Sequence, residues 1–418
     1  MRHHTLRSAG ATALALGVLT GVTACSGSDS DSGSDSDASG GTFTFWDPYP
    51  QWDEDTAWGQ QVEHCAEQTG VRIDRTGYDT SDLTTQALLA GQQGNSPDII
   101  VLDNPVVSTL AEAGLLSTTE DLGLDTSGFA ENLMAAGEID GASYGVPIGA
   151  NTTALYYNAT VLADAGVDPA SVTDWQSLTD ALEQVTAAGH KGITFAGIGT
   201  EEGSFQFLPW LWGSGADLHD IASPEAVSAL ELWKGWLDDG YAPNSVISNT
   251  QEVSWQEFAT GDYAFAQNGT WQLAAADESG IDYGVLTIPS AAGGPAPAAT
   301  GGEFVTAPVQ TDTDRYETTT QIIDCLVSAD NLLATDTALS YVAPIEDLRE
   351  QQVQDNPGLA PWVEAVSAAR GRTTDLGTDY PVISEQLWNA VQNALSGSQS
   401  PQDALEAAQQ AAESGLGN

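Results

Sequence analysis

Apolar and polar residues alternate with period two over Gly41–Trp46, and the run closes in a polar, aromatic stretch from Asp47 to Asp55. Side chains of a strand point to opposite faces in turn, so this alternation predicts a half-buried strand. Apolar positions then recur at helical spacing through Trp58, Val62, Cys65 and Ala66, with Gly70 as the stop. Val71–Thr76 reads as a second strand, and Ser81–Gln93 as a helix with Ser81 placed to cap it. Asp98–Leu102 is a short apolar strand of the kind buried on both faces. Pro105–Ala113 is the next helix, followed by Gly114. Strands alternating with helices imply a mainly parallel sheet with helices on both sides.

The pattern resumes after a Gly- and Pro-marked crossing at Gly145-Val146-Pro147. Ala154–Asn158 is a strand, and Trp175–Ala188 is a strongly amphipathic helix ended by Gly189. Gly192–Ala196, Pro224–Asp239, Val253–Ala259 and Ala264–Asn268 continue the alternation. A second extended crossing follows the flexible Ala291–Gly302 loop at Glu303–Pro308, and Tyr341–Pro344 is a third. Helices dominate the remainder, ending in Ser400–Ala412. The predicted architecture is two α/β lobes joined by several crossings that form a hinge, with a cleft between them. Residues 41–150 and 303–342 are assigned to the first lobe, and residues 151–302 and 343–418 to the second. No internal repeat is evident.

The N-terminus follows a different logic. Arg2 and Arg7 precede a 14-residue apolar run, Ala9 to Val22, which closes in Val22-Thr23-Ala24-Cys25. A basic start, a short apolar run and small residues before a cleavage point make residues 1–24 a secretory signal. A Cys directly after those small residues resembles the lipobox of bacterial lipoproteins, in which the thiol is acylated and becomes the first residue of the mature protein. A plain signal peptide with a coincidental Cys is the alternative. The apolar run is shorter than the roughly 20 residues that span a bilayer. Ser26–Gly40 contains only Ser, Gly, Asp and one Ala, a coil with a reach of roughly 20 Å. Lipid on Cys25 would therefore tether a folded body at the outer face of the cell membrane.

Composition narrows the partners. Cleavage before Cys25 leaves 8 basic residues against 59 acidic ones, a formal charge of −51. Phosphate binding depends on clustered Lys and Arg, so nucleic acid is excluded as a partner. The same scarcity argues against anionic solutes, although a few backbone amides can bind one. The acids are spread along the whole chain, which reads as a solvated surface better than as a site for a cationic solute. With Cys25 lipidated, Cys65 and Cys325 remain, and an even pair in an oxidising compartment suggests a disulfide, with two buried thiols as the alternative.

No catalytic motif rises above background. His64, His190 and His219 lack a second histidine at metal-ligand spacing, and no His-Glu-x-x-His or Cys-x-x-Cys occurs. The nucleophile elbow and the phosphate-binding P-loop are absent. Gly197, Gly199 and Gly203 do not fit the dinucleotide fingerprint. Carboxylate pairs suited to glycoside hydrolysis arise by chance among 59 acids, so their presence decides nothing. Tyr156 and Tyr157 lie on one strand and face opposite sides, so at most one reaches a shared ligand. Neither a metal nor a cofactor is expected.

Several segments together resemble the extracellular solute-binding proteins of bacterial carbohydrate ABC importers, of the maltodextrin-binding type. Pro97-Asp98-Ile99-Ile100 followed by Leu110-Ala111-Glu112-Ala113-Gly114-Leu115-Leu116 is similar to that family's third strand and next helix. Tyr144-Gly145-Val146-Pro147, Asn151 and Leu155-Tyr156-Tyr157-Asn158 match its first crossing. Asp174-Trp175-Gln176-Ser177-Leu178 resembles a helix start, and Phe258–Trp271 the stretch where a Gly-rich turn presents an aromatic. Ser396-Gly397 and Asp403-Ala404-Leu405 are similar to the terminal helices. The resemblance covers nearly all of Gly41–Gln410. It implies a two-lobe periplasmic-binding-protein-like fold, a sugar or oligosaccharide as small-molecule ligand, ABC permease subunits as partners, and a monomer. It also places the Cys65 helix and the Cys325 helix in the same lobe, where they could pair.

Ligands of open α/β sheets sit beyond the carboxyl ends of strands. Trp46 and Asp47 close the first strand, Tyr49 and Trp52 follow, and Asp103 and Asn104 come directly after Leu102. By the resemblance, Asn151 stands at a polar position that reads sugar hydroxyls, frequently an acid in the family. Trp271 falls on the stacking aromatic with Asn268 beside it, and Phe205 and Gln206 mark another aromatic contact. Gly301-Gly302-Glu303 can bring backbone close to ligand, because glycine has no side chain. Core packing is the competing account of any one tryptophan, and Trp175, Trp233 and Trp236 are assigned to it. Trp271 is assigned to ligand, while Trp46, Tyr49 and Trp52 remain open between the two. A sugar-binding protein feeding a permease, a binding protein feeding a sensor, and a secreted glycoside hydrolase are the functions left in play.

Overall fold

The computed structural model describes residues 41–417, so Cys25, the signal segment and the linker lie outside the described residues. Nine strands form two sheets and two short strands form a ribbon. In chain order they are β1 (Thr42–Asp47), β2 (Arg72–Gly77), β3 (Ile99–Asp103), β4 (Glu138–Ile139), β5 (Ala142–Ser143), β6 (Val146–Pro147), β7 (Thr153–Asn158), β8 (Lys191–Thr194), β9 (Tyr263–Gly269), β10 (Tyr283–Leu286) and β11 (Glu303–Thr306). The first lobe is built on a sheet of order β2-β1-β3-β11-β6, the second on β10-β7-β9-β8.

The expectation of mainly parallel sheets needs correction. The β1–β2 and β1–β3 ladders are parallel, but β11 runs antiparallel to both β3 and β6. In the second sheet only β8–β9 is parallel. The reason lies in the crossings. β11 belongs to chain returning from the other lobe and enters its sheet against the strands already laid down, while β7, the first strand of its sheet, is laid down by chain just arriving and β9 and β10 pair with it in the opposite direction.

Period-two alternation places the cores. Along β3, Ile99 and Val101 join Phe43, Phe45, Trp58, Val62 and Ile323 on one face, while Ile100 and Leu102 join Leu83, Val107, Leu110 and Phe304 on the other. β7 divides likewise. Leu155 meets Ile193, Phe265, Trp210, Trp233 and Trp236, whereas Ala154 and Tyr156 meet Trp255, Phe258 and Trp362. Tyr156 and Tyr157 accordingly point to different cores, and the fully buried Tyr156 hydroxyl donates to the Gly269 carbonyl.

Local signals explain most helix ends. The helix Ala57–Thr69 stops at Gly70, whose φ of 75° frees its N–H to reach the carbonyls of Ala66 and Glu67. Asp174 and Ser177 form a capping box ahead of Trp175–Ala187. The helix expected from Ser81 begins earlier, at Thr80 with Asp79 at the N-cap. Cys65 and Cys325 are joined, with their Cα atoms 5.6 Å apart. They link Ala57–Thr69 to the helix Tyr316–Leu326.

The crossings lie side by side. Ala150 bridges Val342, Asn151 bridges Gly301, and the Thr152 hydroxyl donates to the Ala299 carbonyl at 2.7 Å. Among the described residues no helix is long and apolar enough to cross a membrane.

Candidate functional site

A chain of contacts runs from the first sheet, over the crossings, to the second. It starts at Tyr49, whose ring lies 4.8 Å from that of Trp52 and whose hydroxyl donates to Glu303 Oε2 at 2.9 Å. Tyr341 on the third crossing donates to the same oxygen at 2.6 Å. Burial first, then the neighbouring Asp103 carboxylate, push Glu303 up to about 7, against the pull of Tyr341, Tyr49 and Arg372. Asp103 faces Glu303 directly across the β3–β11 ladder.

Asn104 follows Asp103 and ties the strand end to the second crossing. Its side-chain amide donates to the carbonyls of Thr300 at 3.0 Å and Gly302 at 3.2 Å. Gly302 has φ of 107°, and a Cβ there would lie 2.5 Å from the Gly149 carbonyl oxygen, so both conformation and space demand glycine. Asn151 and Gly301 exchange two backbone hydrogen bonds beside it, at 3.2 and 2.9 Å.

Arg372 completes the path, and the sequence reading missed it. The guanidinium is buried, with its Cζ 4.9 Å above the Phe205 ring. Nη2 donates to Asp103 Oδ1 at 2.7 Å and to Asn104 Oδ1 at 3.3 Å, Nη1 to Glu201 Oε1 at 2.8 Å, and Nε to the Thr300 carbonyl at 3.3 Å. Burial alone would depress its basicity, yet Asp103, Tyr380 and Glu201 hold it above the usual arginine range. The Phe205 ring lies 6.3 Å from that of Trp271, which is part-exposed. The Trp271 ring folds over Gly269, where a Cβ would sit 2.1 Å from Cζ3, so the glycine is what lets the aromatic take this pose.

Ten of the expected site residues therefore meet in one contact network: Tyr49, Trp52, Asp103, Asn104, Asn151, Phe205, Trp271, Gly301, Gly302 and Glu303. The other four turn their side chains into the packing beneath, although Asp47 Oδ1 also accepts from the Tyr49 backbone N–H at 3.1 Å. Trp46 packs edge-on against Tyr78 at 5.2 Å. Asp47 is buried and committed, with Oδ2 accepting from Trp58 Nε1 at 2.8 Å and Oδ1 from Arg75 Nη2 at 2.9 Å. Asn268 donates inward to the Gln251 carbonyl at 2.8 Å. Gln206 is fully buried, and its side-chain amide finds no hydrogen-bond partner among the described residues. A signal for Arg372 existed. With only eight basic residues in 25–418, the close pair Arg370-Gly371-Arg372 is a candidate for buried ion pairing.

Carboxylates, side-chain amides and two aromatic rings converge here, while among the described residues no group of His, Cys, Asp and Glu is arranged to hold a metal ion. The arrangement suits recognition of a polar, uncharged solute with apolar faces.

Known proteins share this framework. The chain is 26% identical over 249 residues to a maltooligosaccharide ABC transporter solute-binding lipoprotein of Streptococcus pneumoniae, covering 56% of this chain and 57% of that one. The chain spans about half the length of the curated relatives it matches. Among solved structures, maltose-bound MalE3 of T. maritima superposes with a TM-score of 0.78 at 21% identity, over 89% of this chain and 99% of that one. The GacH receptor of Streptomyces glaucescens, solved unliganded and with acarbose, gives 0.76 at 23%, over 89% and 97%. These likenesses establish the two-lobe periplasmic-binding-protein fold. The pattern that defines bacterial extracellular solute-binding proteins matches residues 60–361, and the chain belongs to that family.

Proposed function

We propose that this protein captures a neutral saccharide between its lobes and delivers it to the permease subunits of an ABC importer, without itself catalysing a reaction. The observation that carries this reading is the pairing of Trp271 and Phe205 with the polar group Asp103, Asn104, Asn151 and Glu303. A sugar ring offers an apolar C–H face to an aromatic plate and a rim of hydroxyls to amides and carboxylates. Lys and Arg are scarce, so little is available to neutralise an anion. Two of the arginines near the site, Arg370 and Arg372, are already paired with Asp217, Asp103 and Glu201. The sugar-binding relatives support the choice of ligand class.

The anchor on Cys25, the monomeric state and the lobe boundaries at 150/151, 302/303 and 342/343 belong to the same reading. Closure follows from differential affinity, because a ligand touching both lobes stabilises the state in which they meet. The test is calorimetry with a panel of mono- and oligosaccharides beside amino acids, peptides and polyamines. Tight binding of at least one neutral saccharide is expected. Tight binding of amines or peptides with no saccharide response would overturn the reading.

A further inference from the structure

Asp103 and Asn104 leave the carboxyl end of β3 in the first lobe. Glu201 and Phe205 lie in the helix Glu201–Gly213, which packs into the core of the second lobe through Phe207, Leu208, Trp210 and Leu211. One side chain touches all four. Arg372 sends Nη2 to Asp103 and Asn104, Nη1 to Glu201, and lays its plane on Phe205, while Nε holds the Thr300 carbonyl of the crossing between them. Its side chain is 3% exposed. The planar fork directs its two terminal nitrogens apart, which lets one guanidinium join carboxylates on separate bodies as lysine cannot.

We propose that Arg372 is a latch between the lobes, a positioning residue that sets how far they close independently of any ligand. This goes beyond the saccharide reading, though its consequence for affinity rests on it. The charges explain the need. Asp103 already faces Glu303 across a ladder, and Glu201 approaches from the other lobe. Like charges brought together in a buried site repel, and the guanidinium converts that repulsion into two charge-assisted bonds. Glu201 is itself held in place by the hydroxyls of Tyr380 and Ser384, so the second-lobe end of the latch is rigid. Removing Arg372 leaves uncompensated carboxylates that favour separation. A ligand that binds only the closed state is then weakened in proportion to the closed population lost.

The experiment places nitroxide labels at Gln92→Cys in the first lobe and Glu183→Cys in the second, both exposed positions, in the otherwise intact chain. Distances are measured without added ligand, so the outcome does not depend on whether a saccharide binds. Arg372→Gln and Asp103→Asn should each shift the distribution to longer distances, and Arg372→Lys should restore it in part. Where the unlabelled protein binds a saccharide, Arg372→Gln should raise Kd about tenfold. An unchanged distribution in Arg372→Gln overturns the latch. A shift in Arg372→Gln without one in Asp103→Asn also overturns it, because the effect would then be local to Phe205. If Arg372→Gln does not fold, Asp103→Asn and Arg372→Lys decide alone.

Discussion

The two lobes are held together by different chemistry. The first is pinned by ions and a covalent bond. Arg75 clasps Asp47 at the end of β1, Arg315 holds Asp98 before β3 with Nη2 to Oδ2 at 2.8 Å, and Cys65 is joined to Cys325. Among the described residues the second lobe has no such clasp within its sheet, and its two lysines stay at the surface with Asp262 and Asp238. It is held instead by stacked aromatics. Trp233 lies 4.1 Å from Phe195 and 5.0 Å from Phe207, and Trp210 meets Trp236 edge-on at 5.1 Å. A chain with few basic residues therefore spends most of its arginines on the first lobe and on the junction, and its tryptophans on the second. Perturbations should separate the lobes accordingly.

The largest effect is expected in the aromatic lobe. Trp233→Ala removes a fully buried indole and should cost about 4 kcal/mol, read as a lowered urea midpoint. In the first lobe, Arg75→Met leaves the Asp47 carboxylate buried without its cation, at a cost of about 3 kcal/mol by the same measurement. Replacing both cysteines, Cys65→Ser with Cys325→Ser, should cost about 3 kcal/mol through the long loop the bond closes. Mass spectrometry of the denatured, unreduced protein after alkylation should show neither thiol labelled, and labelling of both would remove the covalent half of the contrast.

The smallest effect concerns the hinge. Glu303 is raised from 4.5 to about 7, so its native state binds more protons than the unfolded chain between those values. Its contribution is fully present below 4.5 and is lost as pH rises through about 7. Glu303→Gln keeps an acceptor for Tyr49 and Tyr341 but carries no charge. Relative to the parent it should gain about 2 kcal/mol between pH 5 and pH 8, followed by thermal melts across that range. A pH-independent difference would show that Glu303 does not carry the effect.

Much of this was legible in the residues. Asp98–Leu102 reads as a strand buried on both faces, and the observed strand, Ile99–Asp103, is buried on both faces along Ile99–Leu102. Gly70 and Asp174 announce helix ends through backbone chemistry that needs no tertiary context. Strand direction was not legible, because it is set by which lobe the chain comes from, as β7 and β11 show. Asp47 looked like a ligand from its place at a strand end, yet its oxygens face Arg75 and Trp58, partners 28 and 11 residues away. The scarcity of basic residues marks Arg372 as a candidate for an ion pair but does not say with what. Its partners Asp103 and Glu201 lie 269 and 171 residues away, beyond any local pattern.

The central claim is that Trp271 and the Asp103–Glu303 group together form the saccharide site. A crystal structure of the protein grown with the tightest-binding saccharide from the calorimetric panel tests it most directly. A sugar ring stacked on the Trp271 indole within about 4 Å is expected, with hydroxyls bonded to Asp103, Asn151 or Glu303. A saccharide bound away from Trp271, with both aromatic faces there bare, would contradict it.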